Sequence, residues 1–189
     1  MKNSIIEIKD EKILQDKYQS VFVTFLARQK KKIKSVVKEI PIFLIIWRDD
    51  GRFGFPGGRY DEKDSYKPGI ITINDLKRTA IREIKEEIGY KIPSLDNLKL
   101  SSSMLYKNNQ ITNFVYFLTE KEMLNIFSNY YKNINNIQCR EECFGLNMVY
   151  IHNEYVLKEI MKHNFKATCK MEINKILETH FCTQNSSIF

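Results

Sequence analysis

Arg82-Glu83-Ile84-Lys85-Glu86-Glu87-Ile88-Gly89-Tyr90 is the stretch on which the reading of this chain turns. Glu83, Glu86 and Glu87 stand at i, i+3 and i+4, so on a helix their side chains share one face. Three carboxylates so close repel one another unless a cation sits among them. Hard divalent cations take oxygen ligands and keep several waters, which suits a carboxylate set facing a phosphorylated substrate. Arg82 is suited to tether one carboxylate by a charge-assisted bond. Leu76, Ala80, Ile84 and Ile88 recur at every fourth residue with Ile81 beside them, which predicts a helix with one apolar face. Asn74 or Asp75 is the expected N-cap, and Gly89, next to Tyr90, the expected end. An isolated E-x-x-E-E is usually a solvated face. The Gly57-Gly58 pair upstream and the closing glycine argue for a mounted ligand set instead.

Outward from this helix, the chain alternates strand and helix signals. Residues 20–28 and 40–48 are rich in β-branched and aromatic side chains and read as strands, the second one buried. Gln29 to Lys38 is basic and is expected as a loop. Asp49-Asp50-Gly51 is a turn signal, and residues 52–58 are too Gly-rich for regular structure. Residues 98–106 and 111–118 read as strands around a hairpin turn at 107–110. Glu120 to Tyr130 reads as a helix, Phe144 to Ile151 as a strand and Ile173 to Phe181 as part of a final amphipathic helix. Interleaved strands and helices without an internal repeat predict one mixed α and β domain. The expected organisation is an N-terminal extension over 1–19, a domain over 20–181 and a tail over 182–189.

With 189 residues the chain is long enough for one well-buried core, and 43% hydrophobic residues argue against disorder. Its longest apolar run, Ile40 to Trp47, is interrupted by Pro41 and far too short for a bilayer. The first residues carry no apolar signal region, so an intracellular location is expected, and no membrane partner. Thirty Lys+Arg against 23 Asp+Glu give a net charge of +7, which favours an anionic partner such as nucleic acid or a nucleotide. A chain generally rich in Lys, Asn and Ile would carry such a charge for compositional reasons as well. Arg28, Lys30, Lys31, Lys32 and Lys34 form a run suited to a phosphate backbone, although charge runs are commonly just solvated. Cys139, Cys143, Cys169 and Cys182 form no C-x-x-C pair, which predicts free thiols in a reducing compartment. His152, His163 and His180 have no common metal spacing and read as ordinary histidines.

The glutamate stretch resembles a Nudix box, G-x5-E-x7-R-E-U-x-E-E-x-G-U with U apolar. Its second half matches throughout, with Tyr90 as the last U. Its first half departs: Arg82 lies 24 positions after Gly58 where the pattern has 14, and Asn74 falls at the place of the first Glu. About ten residues, around Asp64 to Ile73, are therefore expected as an insertion before the helix. The stretch Asp50-Gly51-Arg52-Phe53-Gly54-Phe55-Pro56-Gly57-Gly58, followed by Asp61 and Asp64, is similar to the nuclear snoRNA-decapping Nudix hydrolases, also described as inosine diphosphatases. The likeness continues weakly through Glu142 to Leu146 and Asn164-Phe165.

This resemblance implies an α+β fold, a mixed sheet sandwiched between helices (α/β/α). It implies divalent metals, Mg²⁺ or Mn²⁺, on Glu83, Glu86, Glu87 and the Gly57 carbonyl. Glu142 is then a late acidic residue acting on water or a further metal. Arg48 contacts substrate and Phe55 packs near the purine, although an aromatic there would otherwise read as core. The family has a His at the place of Phe22, a Phe at that of Arg59 and a Gln at that of Glu172. Phe22 remains able to stack on a base and Arg59 to contact phosphate. Implied partners are capped RNA or a purine nucleotide and a second copy in a homodimer, and the implied location is the nucleus, the nucleolus or the cytoplasm. The activity expected is metal-dependent removal of the 5′ cap from RNA. Its alternatives are hydrolysis of (deoxy)inosine or other purine nucleoside di- or triphosphates, and a catalytically silent RNA-binding domain.

Overall fold

A computed structural model describes residues 5–8, 12–33, 35–136 and 143–181. Among them one mixed sheet is built from β1 (Ile5–Glu7), β2 (Tyr18–Ile33), β3 (Val36–Arg48), β4 (Phe53–Gly54), β5 (Lys99–Tyr106), β6 (Asn109–Leu118) and β7 (Cys143–Tyr150). The spatial order is β1-β5-β6-β2-β3-β4, with β7 on β3. β2 runs parallel to β6, and every other pairing is antiparallel. The helices are α1 (Ile73–Ile88), α2 (Glu120–Asn133), α3 (Glu154–Lys162) and α4 (Ala167–His180). No helix among the described residues is long and apolar enough to cross a membrane.

The period-2 alternation of β2 sorts its side chains onto two cores. Val21, Val23, Phe25 and Ala27 join Ile42, Leu44 and Ile46 of β3 against Leu76, Ala80, Ile84 and Ile88 of α1 and Met123 and Ile126 of α2. Leu26 joins Phe43 and Ile45 on the opposite face, beneath Cys169, Ile173, Ile176 and Leu177 of α4. Helices cover both faces, so the expected α/β/α sandwich is present. All four apolar positions of the predicted helix are buried, and Gly89 ends it in the left-handed conformation at φ +70°, its N–H donating to the Lys85 carbonyl.

Three local expectations are corrected. The helix N-cap is Thr72, not Asn74 or Asp75: Thr72 and Asp75 form a reciprocal capping box, and Asn74 points into solvent. The basic stretch 29–38 is not a loop. β2 continues to Ile33 and pairs with β3 from Val36 onward, because two adjacent strands satisfy each other's backbone groups whatever their side chains. Phe53 and Gly54, in the Gly-rich run, add a short strand against Trp47 and Ile46. Cys143 and Cys169 are buried free thiols, while Cys139 and Cys182 lie outside the described residues, as does Lys34.

Asp75 ties the helix start to the loop before it. Its carboxylate accepts from the Thr72 N–H (2.7 Å) and hydroxyl (2.6 Å) and from the Tyr66 N–H (2.9 Å), and it pairs with Arg78. Burial opposes its ionisation, but these hydrogen bonds outweigh burial and hold its pKa below the ordinary carboxylate value. Asp75→Ala is expected to cost about 2 kcal/mol, a cap plus charged hydrogen bonds. A depressed folded pKa stabilises fully above the unfolded value, about 4, and the gain is lost as pH falls through the folded value. Urea unfolding at a series of pH values should therefore show a gap between wild type and variant that is constant down to about pH 4 and shrinks below it. A gap that widens in acid would contradict the assignment.

Candidate active site

Beyond the Phe25–Leu44 pair, β2 and β3 diverge, and residues 53–60 fill the gap between them. The Val23 N–H donates to the Pro56 carbonyl (2.9 Å), the Val21 N–H to the Gly58 carbonyl (2.8 Å) and the Tyr60 N–H to the Gln19 carbonyl (3.0 Å). The Gly-rich run is thus stitched into the centre of the sheet. Two glycines are required there. A Cβ on Gly57, whose φ is +141°, would lie 2.1 Å from the Val21 carbonyl oxygen and 2.7 Å from the Phe22 Cα. A Cβ on Gly58 would lie 2.4–2.6 Å from the Glu83 carboxylate.

Glu83 and Glu87 are buried against this loop, and the Gly57 N–H donates to Glu87 Oε2 at 2.6 Å. Arg82 gathers the other carboxylates. Its guanidinium lies 2.8 Å from Glu83, 2.9 Å from Glu86 and 3.0 Å from Asp64, and donates to the Arg59 carbonyl. Burial disfavours the Arg82 charge, but the Asp64 hydrogen bond and the Glu83 and Asp64 charges outweigh it and push its pKa up. Arg82 is a permanent cation amid three carboxylates.

Asp64 entered the sequence reading only as part of the family likeness, with no role at the site. It is buried, accepts from the Thr79 hydroxyl (2.9 Å) as well as from Arg82, and stands six positions after Gly58. The carboxylate facing Arg82 therefore comes from before the insertion, as Gly58-x5-Asp64, whereas counting back from Arg82 through the insertion lands on exposed Asn74.

Among the described residues no three His, Cys, Asp or Glu side chains stand in a ready metal-holding group. Arg82 engages Glu83 and Glu86, and Glu87 is bonded to Gly57. The donor set still fits a hard divalent cation. All three donors are carboxylates on one rigid helix, and the missing Cβ of Gly58 leaves the Glu83 carboxylate against bare backbone.

The other side of Gly57-Gly58 opens into a cleft of about 440 Å³, within the range of small-ligand sites. Phe22, Arg48, Arg59 and Gly57, all singled out from the sequence, line it. So do Arg52, which the sequence reading gave no role, and Lys166, which it did not name. Lys166 arrives because the segment before α4 pairs with β4: the Phe53 N–H donates to the Asn164 carbonyl and the Lys166 N–H to the Phe53 carbonyl. Asp50 lies 3.4 Å from Lys166 and 3.8 Å from the Arg48 Nε. Burial opposes the Asp50 charge, yet Lys166, the Arg52 N–H and Arg48 together hold its pKa below the usual range. The buried Nε of Arg48 has no hydrogen-bond partner.

Phe55 and Glu172 sit deeper than the sequence suggested. Phe55 is 1% exposed and belongs to the core under α4, touching only a narrow recess beside Phe22 and Asn113. Glu172 is fully buried and does not line the cleft. Ser102 donates to its Oε2, and Asn113 Nδ2 donates to Ser102 Oγ at 2.9 Å, so Glu172 reaches the recess through two side chains. Its Oε1 has no partner, and burial pushes its pKa up against the Ser101 and Ser102 hydrogen bonds. Glu142 lies outside the described residues.

A family model described as Nudt16-like, U8 snoRNA-decapping enzyme-like, matches residues 19–181. No curated protein matches by sequence. Among solved structures, a mutT/nudix family protein from Listeria innocua superposes with a TM-score of 0.54 at 13% identity, covering 86% of this chain and 92% of its own. The Nudix domain of NrtR from Shewanella oneidensis, solved with ADP ribose, gives a TM-score of 0.54 at 11% identity, covering 86% and 88%. At these identities the superpositions establish the fold, and the family match establishes the relationship. The second half of the box, the Gly57-Gly58 loop against Glu83 and Glu87, and the α/β/α sandwich all agree with it: the chain belongs to the Nudt16-like family of Nudix proteins and is a hydrolase of phosphoanhydride bonds.

Proposed function

We propose that this enzyme removes the 5′ cap from RNA by hydrolysing the nucleoside polyphosphate bridge. The observation that carries the reading is the cleft itself. Arg48, Arg52, Arg59 and Lys166 line it, and it runs onto the Gly57-Gly58 backbone, behind which Glu83 and Glu87 are held. A polyphosphate bridge is an extended polyanion, so cations along one wall and a side-chain-free floor suit it. The family generally requires divalent metal ions. Mg²⁺ or Mn²⁺ would be held by Glu83, Glu86, Glu87 and the Gly57 carbonyl, and when bound would neutralise phosphate charge and lower the pKa of water.

The chain's own residues then have separable roles. Arg82 orients the carboxylates. To admit a cation it must yield Glu83 or Glu86, with Asp64 and the Arg59 carbonyl as its remaining acceptors. Arg48 and Lys166, held by Asp50, bind the phosphates, and Arg59 assists at the glycines. Phe22 stacks on the base, with Phe55 packing beneath the recess. Glu172 acts indirectly, by fixing Asn113 through Ser102. Glu142 remains a proposed late acidic residue. The cleft would also hold a free purine nucleoside diphosphate such as inosine diphosphate, and that is the second reading. The homodimer stays a proposal from the resemblance, as does a nuclear location.

Capped RNA incubated with the enzyme and Mg²⁺ should yield RNA with an uncapped 5′ phosphate and a released cap nucleotide. Arg48→Gln should raise KM about 10- to 100-fold, the loss of one charge-assisted hydrogen bond, with a smaller effect on kcat. An unchanged KM would remove Arg48 from the phosphate path.

A further inference from the structure

The basic stretch that the sequence presents as a loop is a two-stranded ribbon projecting from the sheet. β6 stops opposite β2 at the Leu118–Ala27 pair, and β7 stops opposite β3 at the Tyr150–Ile42 pair. Past those points, among the described residues, β2 and β3 pair only with each other and neither outer edge of the ribbon carries a further strand. Cross-strand register places Lys30 opposite Glu39, Lys31 opposite Lys38 and Lys32 opposite Val37. Lys30 and Lys32 therefore point to one face and Lys31 and Lys38 to the other.

All three of Lys30, Lys31 and Lys32 are exposed, and none has an ion pair among the described residues. The acid on the same ribbon, Glu39, is taken by Arg28 at 2.8 Å. Lys31 stands directly opposite Lys38 in the cross-strand register, so two cations share that face. Val36 and Val37 at the tip are 54% and 59% exposed, so the cations flank an uncovered apolar tip. Lysines on open edges also block edge-to-edge association. That need is met by one or two charges per edge and does not account for cations on both faces around an apolar tip.

We propose that this ribbon is a second RNA-binding surface, which holds the body of the substrate while its 5′ end occupies the cleft. The inference rests on the RNA reading above. β2 joins the two places: Phe22 lines the cleft, and Lys30 to Lys32 lie eight to ten residues further along the same strand, about 30 Å away. A strand that stays stacked, at roughly 3.4 Å per nucleotide, spans that distance with about nine nucleotides. The partner is a single strand whose phosphates meet the lysines and whose bases meet the valines.

The experiment measures kcat/KM and affinity for capped RNAs of about 3, 6, 12 and 20 nucleotides, for wild type and for a variant with Lys30→Gln, Lys31→Gln and Lys32→Gln. Inosine diphosphate turnover and size-exclusion chromatography are run beside it. Wild-type affinity should rise between 6 and 12 nucleotides. The variant should lose that rise and reduce the log–log salt slope of long-RNA binding by about 2 to 3, with dinucleotide-scale hydrolysis unchanged. Length-independent cleavage in wild type would overturn the ribbon and leave decapping standing. No cleavage of any capped RNA would overturn decapping itself. If the variant loses short- and long-substrate turnover alike, the ribbon serves the fold or the cleft and the proposal fails. Equal loss of binding to vesicles containing 30% phosphatidylserine would mark it as a general polyanion surface and likewise overturn it.

Discussion

Glu87→Gln should lower turnover at least a hundredfold while leaving the fold intact. The substitution keeps the shape, and the new amide oxygen still accepts the Gly57 N–H that Glu87 Oε2 now accepts at 2.6 Å. What it removes is one negative charge from the proposed cation site. Removing a single preorganised electrostatic group at a reacting centre typically costs about 10²–10³ in kcat. The loss should appear in kcat together with a weakened metal dependence, and thermal unfolding in the absence of metal should match wild type. Near wild-type hydrolysis by this variant would contradict the assignment of the metal helix.

Gly57→Ala and Gly58→Ala should separate stability from chemistry, although they change neighbouring residues in one loop. The Cβ at position 57 meets the backbone of Val21 and Phe22, in the middle of the central strand, and no flexible group can move aside. The φ of +141° adds strain for any residue with a Cβ. A cost of about 3 kcal/mol follows from strain plus overpacking, or about 10 °C in Tm for a chain of this size. The Cβ at position 58 meets only the end of the Glu83 side chain. That carboxylate can swing away, so Gly58→Ala should fold nearly as well as wild type and lose turnover at least tenfold. Differential scanning calorimetry and turnover on both variants check this. Equal Tm losses would show that the Gly58 contact is structural.

How far the sequence disclosed this molecule depends on how local each signal is. The α1 face of Leu76, Ala80, Ile84 and Ile88 is a local repeat, and all four residues are buried. The capping box was also legible in principle, as Thr72-x-x-Asp75, but Asn74 and Asp75 are common caps and compete with it. The ribbon was not legible. Its side chains show no alternation of apolar and polar residues, and its pairing is a matter of register, Ile33 opposite Val36. Arg48 and Phe22 could be named from the motif, yet Lys166 enters the cleft through a backbone pairing with Phe53 across more than a hundred residues, which no local pattern records. Asp64 was concealed by the insertion, because its spacing to Gly58 is preserved and its spacing to Arg82 is not. The burial of Phe55 and Glu172 depends on where α4 lies across the sheet, a tertiary fact.

Decapping as proposed requires the carboxylates behind Gly57-Gly58 and the cationic cleft before them to form one site for metal-dependent cleavage of an RNA cap. Its most direct test compares kcat/KM for capped RNA with that for inosine, guanosine and adenosine di- and triphosphates, each with Mg²⁺, with Mn²⁺ and with chelator. The expected result is cleavage of the cap's polyphosphate bridge at a kcat/KM above that of every free nucleotide, abolished by the chelator. Hydrolysis that survives the chelator, or a free nucleotide cleaved more efficiently than capped RNA under both metals, would contradict it.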